Sequence, residues 1–288
     1  MRGYGRECRY RRPTVGGRRS EPPESERVLV PILDGEPDRQ STAVAAALAE
    51  QRDVELVYVS VVTDPSRDRS ELPAYRLREH HQVAKEVMRA AVDPEASTDI
   101  RGTIRVGRSA TRVVLDAIET FHASAVVLET PAEWSRLGAF GGDEVRRIAS
   151  RSDCEVIVVN GDGSLDDVSS ILLPVAGGPH SGLAVDVAHA LATAHDAWID
   201  LLHVVTDADD PDERAEAERY FDAARERLGA FTDVDDWLLA ADDVADAIVE
   251  QSAYYDVVVL GAPQRTRLEE LVFGSTRSTS PIRPTGPW

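Results

Sequence analysis

SILLPVAGG, residues 170–178, is a short apolar run that stops at a proline and two glycines. RVLVPILDG, residues 27–35, has the same plan, with proline again in fifth place and a polar turn behind it. Each run leads into an alanine-rich stretch. In the later one Ala184, Val187, Ala188 and Leu191 fall at i, i+3, i+4 and i+7, the stripe of a helix with one apolar face. Second strands follow, VELVYVSVVTD at 54–64 and WIDLLHVVTD at 198–207, with a shared ending. Pro31 to Pro174 and Val62 to Val205 are both offsets of 143 residues. The chain reads as one unit used twice.

The rest of each copy keeps step. Charged helices come next, with Leu77, Ala84, Met88 and Ala91 lining one and Ala217, Phe221, Ala224 and Leu228 the other. Third strands are expected near 103–106 and 235–240. The helices LDAIETF (115–121) and ADAIVEQ (245–251) share DAI, and SAVVLETP (124–131) and DVVVLGAP (256–263) are fourth strands. Continuously apolar strands that alternate with helices imply a parallel sheet covered on both faces. The fold class is α/β, two tandem doubly wound units. The expected boundaries are 27–161 and 168–288, preceded by an unstructured Arg-rich tail over 1–26. In the first copy Gly142-Asp143 opens a short helix and CEVIVV (154–159) supplies a fifth strand. The second copy ends in TRSTSPIRPTGPW, whose prolines can neither donate to a ladder nor continue a helix. Its fifth strand is expected to be missing and residues 279–288 to be loose.

Charge narrows the function. The 288 residues hold 32 basic and 51 acidic side chains, a formal net charge of -19. Lys85 is the only lysine, and residues 1–27 carry eight of the arginines. So negative a body repels nucleic acid and anionic lipid. High acidity with scarce lysine fits a salty cytoplasm, where screening makes self-repulsion cheap. No run of eighteen apolar residues spans a bilayer, and the opening residues lack the apolar stretch of a secretory signal. Two cysteines, Cys8 and Cys154, make no disulfide framework.

Two such halves, each with a proline after strand one and glycine-bearing segments after strand four, resemble tandem universal stress proteins. The closest likeness is to the tandem halves appended to some prokaryotic amino-acid transporters. The resemblance implies five parallel strands per unit of an adenine-nucleotide α-hydrolase-like fold, two units paired as an intramolecular pseudo-dimer, and in some members an ATP site at the strand ends. The family's pattern is Gly, two residues, Gly, nine residues, then Gly-Ser or Gly-Thr. Bare glycines let backbone N–H groups approach phosphate, and the final pair opens a helix whose N-terminus attracts anions. In the second half Gly261, Gln264, Gly274 and Ser275 hold those places, with Gln264 where a glycine belongs. Thr276 follows as a further phosphate donor. The resemblance also places Pro174, Val175, Ala176 and Val205 around the base. In the first half the same spacing gives Glu129, Ala132, Gly142 and Asp143, and its two carboxylates oppose phosphate. The family's aspartate after strand one is replaced by Leu33 and Ala176, with Asp34 one residue late in the first half.

Three functions follow. The first is a non-enzymatic regulatory protein that binds ATP or a related adenine nucleotide in its second unit. The second is a nucleotide-free interaction module whose protein partner is a transporter or another copy of itself, with oligomers of the pseudo-dimer allowed. The third, least supported, is an adenylating enzyme of the PP-loop kind, for which Gly177, Gly178 and Ser181 survive without the motif's first serine and acid. A Gly-Gly turn into a helix opened by Pro179 accounts for the same residues. The adjacent His80 and His81 face different ways on a helix, so no metal site is expected there. His203 reads as a core or strand-end histidine, the acids over 207–218 as a solvated helix start, and Cys154 as an unreactive thiol beside Asp153 and Glu155.

Overall fold

The structure is a computed structural model and describes residues 7–10, 26–33, 39–63, 98–130, 143–160, 165–178 and 180–262. The first unit comprises β2 (Arg27–Ile32), α1 (Arg39–Arg52), β3 (Glu55–Thr63), β4 (Ile100–Gly107), α2 (Ala110–Phe121), β5 (Ala123–Thr130), α3 (Asp143–Ala149) and β6 (Glu155–Asn160). The second repeats it as β7 (Ser170–Pro174), α4 (Ser181–His195), β8 (Trp198–Val205), α5 (Pro211–Leu228), β9 (Val234–Ala240), α6 (Val244–Ser252) and β10 (Val257–Val258). The parallel strands run β4-β3-β2-β5-β6 in one sheet and β9-β8-β7-β10 in the other. The expected pair of parallel α/β units is what the chain forms.

One strand was not expected. Residues 7–10 form β1 (Glu7–Tyr10), which pairs antiparallel with β4 from Glu7 opposite Thr103 to Tyr10 opposite Ile100. The stretch read as unstructured thus contributes an edge strand, because the open side of β4 offers unpaired backbone groups to any extended segment within reach. The last strand is shorter than its apolar run. The ladder of β10 covers two residues, and one further bond runs from the Val259 N–H to the Leu172 carbonyl. The helix expected around 77–91, with His80 and His81, lies outside the described residues, as do residues 263–288.

Packing explains why the alanine-rich helices are apolar over most of their circumference. On α1, Val44, Ala45, Ala47, Leu48 and Ala49 are buried. On α4, Ala184, Val185, Val187, Ala188, Ala190, Leu191 and Ala192 are buried too. The two helices contact each other, and each also covers its own sheet, so a single apolar cluster passes from β2 through both helices to β7. A helix covered on opposite sides must be apolar nearly all round. Small side chains let the helix backbones come close. The outer face of the first sheet is sealed by α2 and α3 over Leu29, Val57, Val126 and Leu128. The outer face of the second sheet carries a smaller cluster around Leu172, Leu202 and Ile248 of α6.

At the rim of the shared core, Arg52 of α1 reaches Glu155 at 2.6 Å and Asp186 of α4 at 3.1 Å. Arg227 of α5 grips the same Asp186 through two donors at 2.6 and 2.8 Å. One carboxylate is therefore held by both units.

Candidate functional site

The second sheet changes direction between β7 and β10. From β7 the chain moves outward to β8 and β9, then crosses back to lay β10 on the other side. At such a switch point the loops leave in opposite directions and a crevice opens at the carboxyl ends of the strands.

Here β7 ends in Pro174, and the Val175 N–H still donates to the Leu202 carbonyl at 2.8 Å. The backbone then turns through Gly177 and Gly178, both left-handed at φ 68° and 111°, which glycine adopts without steric cost. The turn delivers the chain to the start of α4. A side chain at Gly177 would begin 2.6 Å from a Tyr220 ring carbon. Across the crevice, a Cβ at Gly261 would stand 3.3 Å from the His180 carbonyl oxygen. Gly261 thus has a packing reason, the close approach of the strand end to the first turn of α4, that holds with or without a ligand.

A cavity of about 630 Å³ fills this crevice, lined among others by Pro174, Val175, Ala176, Val205 and Gly261. Five of the nine residues proposed for the nucleotide are therefore brought together. Val175 and Val205 are buried, and Ala176 is exposed at the mouth. The remaining four, Gln264, Gly274, Ser275 and Thr276, lie outside the described residues. In the first unit Leu33 packs against the outer core, Glu129 is exposed on β5, and Asp143 opens α3. Asp34, Ala132 and Gly142 fall outside the described residues.

The cavity wall also holds residues that sequence reasoning did not assign to it. The His203 ring Nδ1 lies 2.6 Å from the Val175 carbonyl oxygen. A carbonyl only accepts, so Nδ1 carries the proton. The ring packs on Tyr220 and Phe221, with centroids 5.1 and 6.4 Å away. This is the strand-end histidine expected, yet it lines the cavity as well. The signal was present: His203 stands two places before Val205, on the same face of the strand. Glu213, Glu216 and Asp242 also line the wall. The Glu213 carboxylate accepts the Thr206 and Asp207 N–H groups at 2.8 and 3.1 Å, and Glu216 accepts the Tyr220 hydroxyl at 2.6 Å. The acidic run before them behaves as a helix start. Asp210 caps α5 by accepting the Asp212 and Glu213 N–H groups, as an aspartate at that position does.

Cys154 is half-buried, and burial, with minor help from Glu155 and Asp153, pushes its thiol up to about 11. Among the described residues no three His, Cys, Asp or Glu side chains group as a metal site, and no helix is long and apolar enough to cross a membrane.

The universal stress protein family model matches residues 24–160 and again residues 168–279. The chain belongs to the universal stress protein family. Among solved structures, this tandem universal stress protein is similar to a putative universal stress protein from Pseudomonas aeruginosa UCBPP-PA14. The two are 16% identical, with 87% of each chain covered at a TM-score of 0.54. It is similar also to a universal stress protein from Archaeoglobus fulgidus DSM 4304, at 13% identity and a TM-score of 0.54, over 86% of this chain and 89% of that one. A third, a functionally unknown protein of Pseudomonas aeruginosa PAO1, is 17% identical over 87% and 86% of the chains, with a TM-score of 0.53. At such identities the likeness is one of fold. No curated protein matches the chain.

Proposed function

We propose that this tandem universal stress protein is a regulatory binding protein whose second unit takes an adenine nucleotide, and that it acts through occupancy and protein contacts rather than turnover. The observation that supports this is the convergence of Pro174, Val175, Ala176, Val205 and Gly261 on one cavity at the strand switch point. Crevices of this kind are where open α/β sheets receive ligands. Val175 and Val205 offer apolar walls for a base. The turn through Gly177 and Gly178 brings the first turn of α4 to the same cavity, and a helix start favours negative charge.

The nucleotide-free interaction module is the second reading. Ala176 favours it, because it offers a methyl group where the family places a carboxylate. Isothermal titration of the full chain with ATP and with AMP separates the two. Ala176→Trp fills the mouth of the cavity from an exposed position, and Gly274→Asp puts a carboxylate in the family's phosphate position. Heat that disappears in either variant supports nucleotide binding. No heat from the unaltered chain with either ligand supports the interaction module.

A further inference from the structure

The charge of the cavity wall points to a narrower ligand class. Glu213, Glu216 and Asp242 all line the cavity, while no arginine or lysine lines it among the described residues. The partners of Glu213 and Glu216 are neutral donors, backbone N–H groups and a tyrosine hydroxyl, and no arginine bridges either carboxylate among the described residues. Against them stands the start of α4, equivalent to roughly half a positive charge. The three acids do not form a cation site that would turn them to advantage, since no such group of ligands exists among the described residues. The remaining wall suits an uncharged aromatic ring: Val175, Val205, His203 and Tyr220 supply aliphatic and aromatic surface.

We infer that this cavity selects the base and sugar of an adenine ligand and discriminates against phosphate, so that adenosine is preferred to AMP and AMP to ATP. The inference rests on the adenine reading above and specifies the ligand class of that same cavity. The carboxylates that oppose phosphate are also acceptors for ribose hydroxyls, which gives the sugar end a reason to bind where the strand-one aspartate is absent.

The test is titration of the full chain with adenosine, AMP and ATP at fixed ionic strength with Mg²⁺ present, repeated for the double variant Glu216→Gln, Asp242→Asn and for the remote control Glu119→Gln. Adenosine is expected to bind at least roughly tenfold more tightly than ATP, the size of one modest like-charge contact. That gap is expected to narrow several-fold in the double variant and to be unchanged in the control. ATP binding as tightly as adenosine overturns the inference and leaves the adenine reading standing. A gap that survives the double variant, or narrows equally in the control, also overturns it, since the field would then belong to the whole molecule. Absence of heat with all three ligands overturns the adenine reading itself, and the inference falls with it.

Discussion

A methyl group at position 177 would start 2.6 Å from the ring of Tyr220, on backbone at φ 68°. Both the conformation and the contact oppose any side chain there. Gly177→Ala is therefore expected to cost about 1–2 kcal/mol from the left-handed backbone alone, read as a lower urea midpoint, and to displace Tyr220 from the cavity wall. Cys154 gives a second residue-level expectation. With its thiol pushed up to about 11, only about a thousandth is thiolate at pH 8, and the thiolate is the reactive form. In a Cys8→Ser background, alkylation by iodoacetamide should be slow at pH 8 and accelerate about tenfold for each pH unit up to roughly 11. A rate that levels off near pH 8–9 would contradict the burial described for this site.

Between elements, the contact of α1 with α4 joins the buried cores of the two units. Leu48 and Ala188 are fully buried in the shared cluster. Leu48→Ala is expected to cost about 2–5 kcal/mol by opening a cavity, and Ala188→Leu about 1–3 kcal/mol by overpacking. The ionic rim of this contact has its own pH signature. Burial alone would raise the Asp186 carboxyl, but the guanidinium of Arg227, and then that of Arg52, outweigh it and hold the group below its ordinary range. A carboxyl depressed in the folded state contributes stability that is complete above its unfolded value near 4 and is lost as pH falls through its folded value. Asp186→Asn should therefore lower stability by roughly 1 kcal/mol at pH 6, a figure kept small for a partly exposed network. The difference from the unaltered chain should close as pH falls through that window. Urea titrations between pH 3 and 6 check both.

The same scale shows what was readable beforehand. The strand-proline-turn repeat and the offset of 143 residues placed the first two strands of each unit, and shorter apolar runs placed the others, because burial writes an apolar run directly into the chain. The stripe of Ala217, Phe221, Ala224 and Leu228 is the buried face of α5 for the same reason. β1 was not readable. Its four residues sit among arginines, glycines and a proline, and pairing there depends on the open edge of β4, a tertiary property. The cavity was half readable. Its backbone turns followed from glycine and proline, whereas Tyr220, Glu216 and Asp242 enter it through the packing of α5 and the pairing of β9 on β8, which no local pattern encodes.

At the scale of the whole molecule, a formal charge of -19 means that self-repulsion opposes compactness, and salt screens that repulsion. Melting temperature is expected to rise between dilute buffer and molar KCl, by about 2–4 °C for each kcal/mol recovered in a chain of this size. A flat or falling profile would show that the ionic rim around Asp186, which salt weakens, outweighs the general repulsion. The continuity of the core through α1 and α4 has a further consequence. Severed between residues 160 and 168, each fragment would keep its helix on its own sheet but expose that helix's second apolar side, of alanine, valine and leucine, to water. Such fragments, made separately and then mixed, would act as each other's missing chaperone and reassemble without a covalent bond, comigrating on a sizing column as the intact chain does.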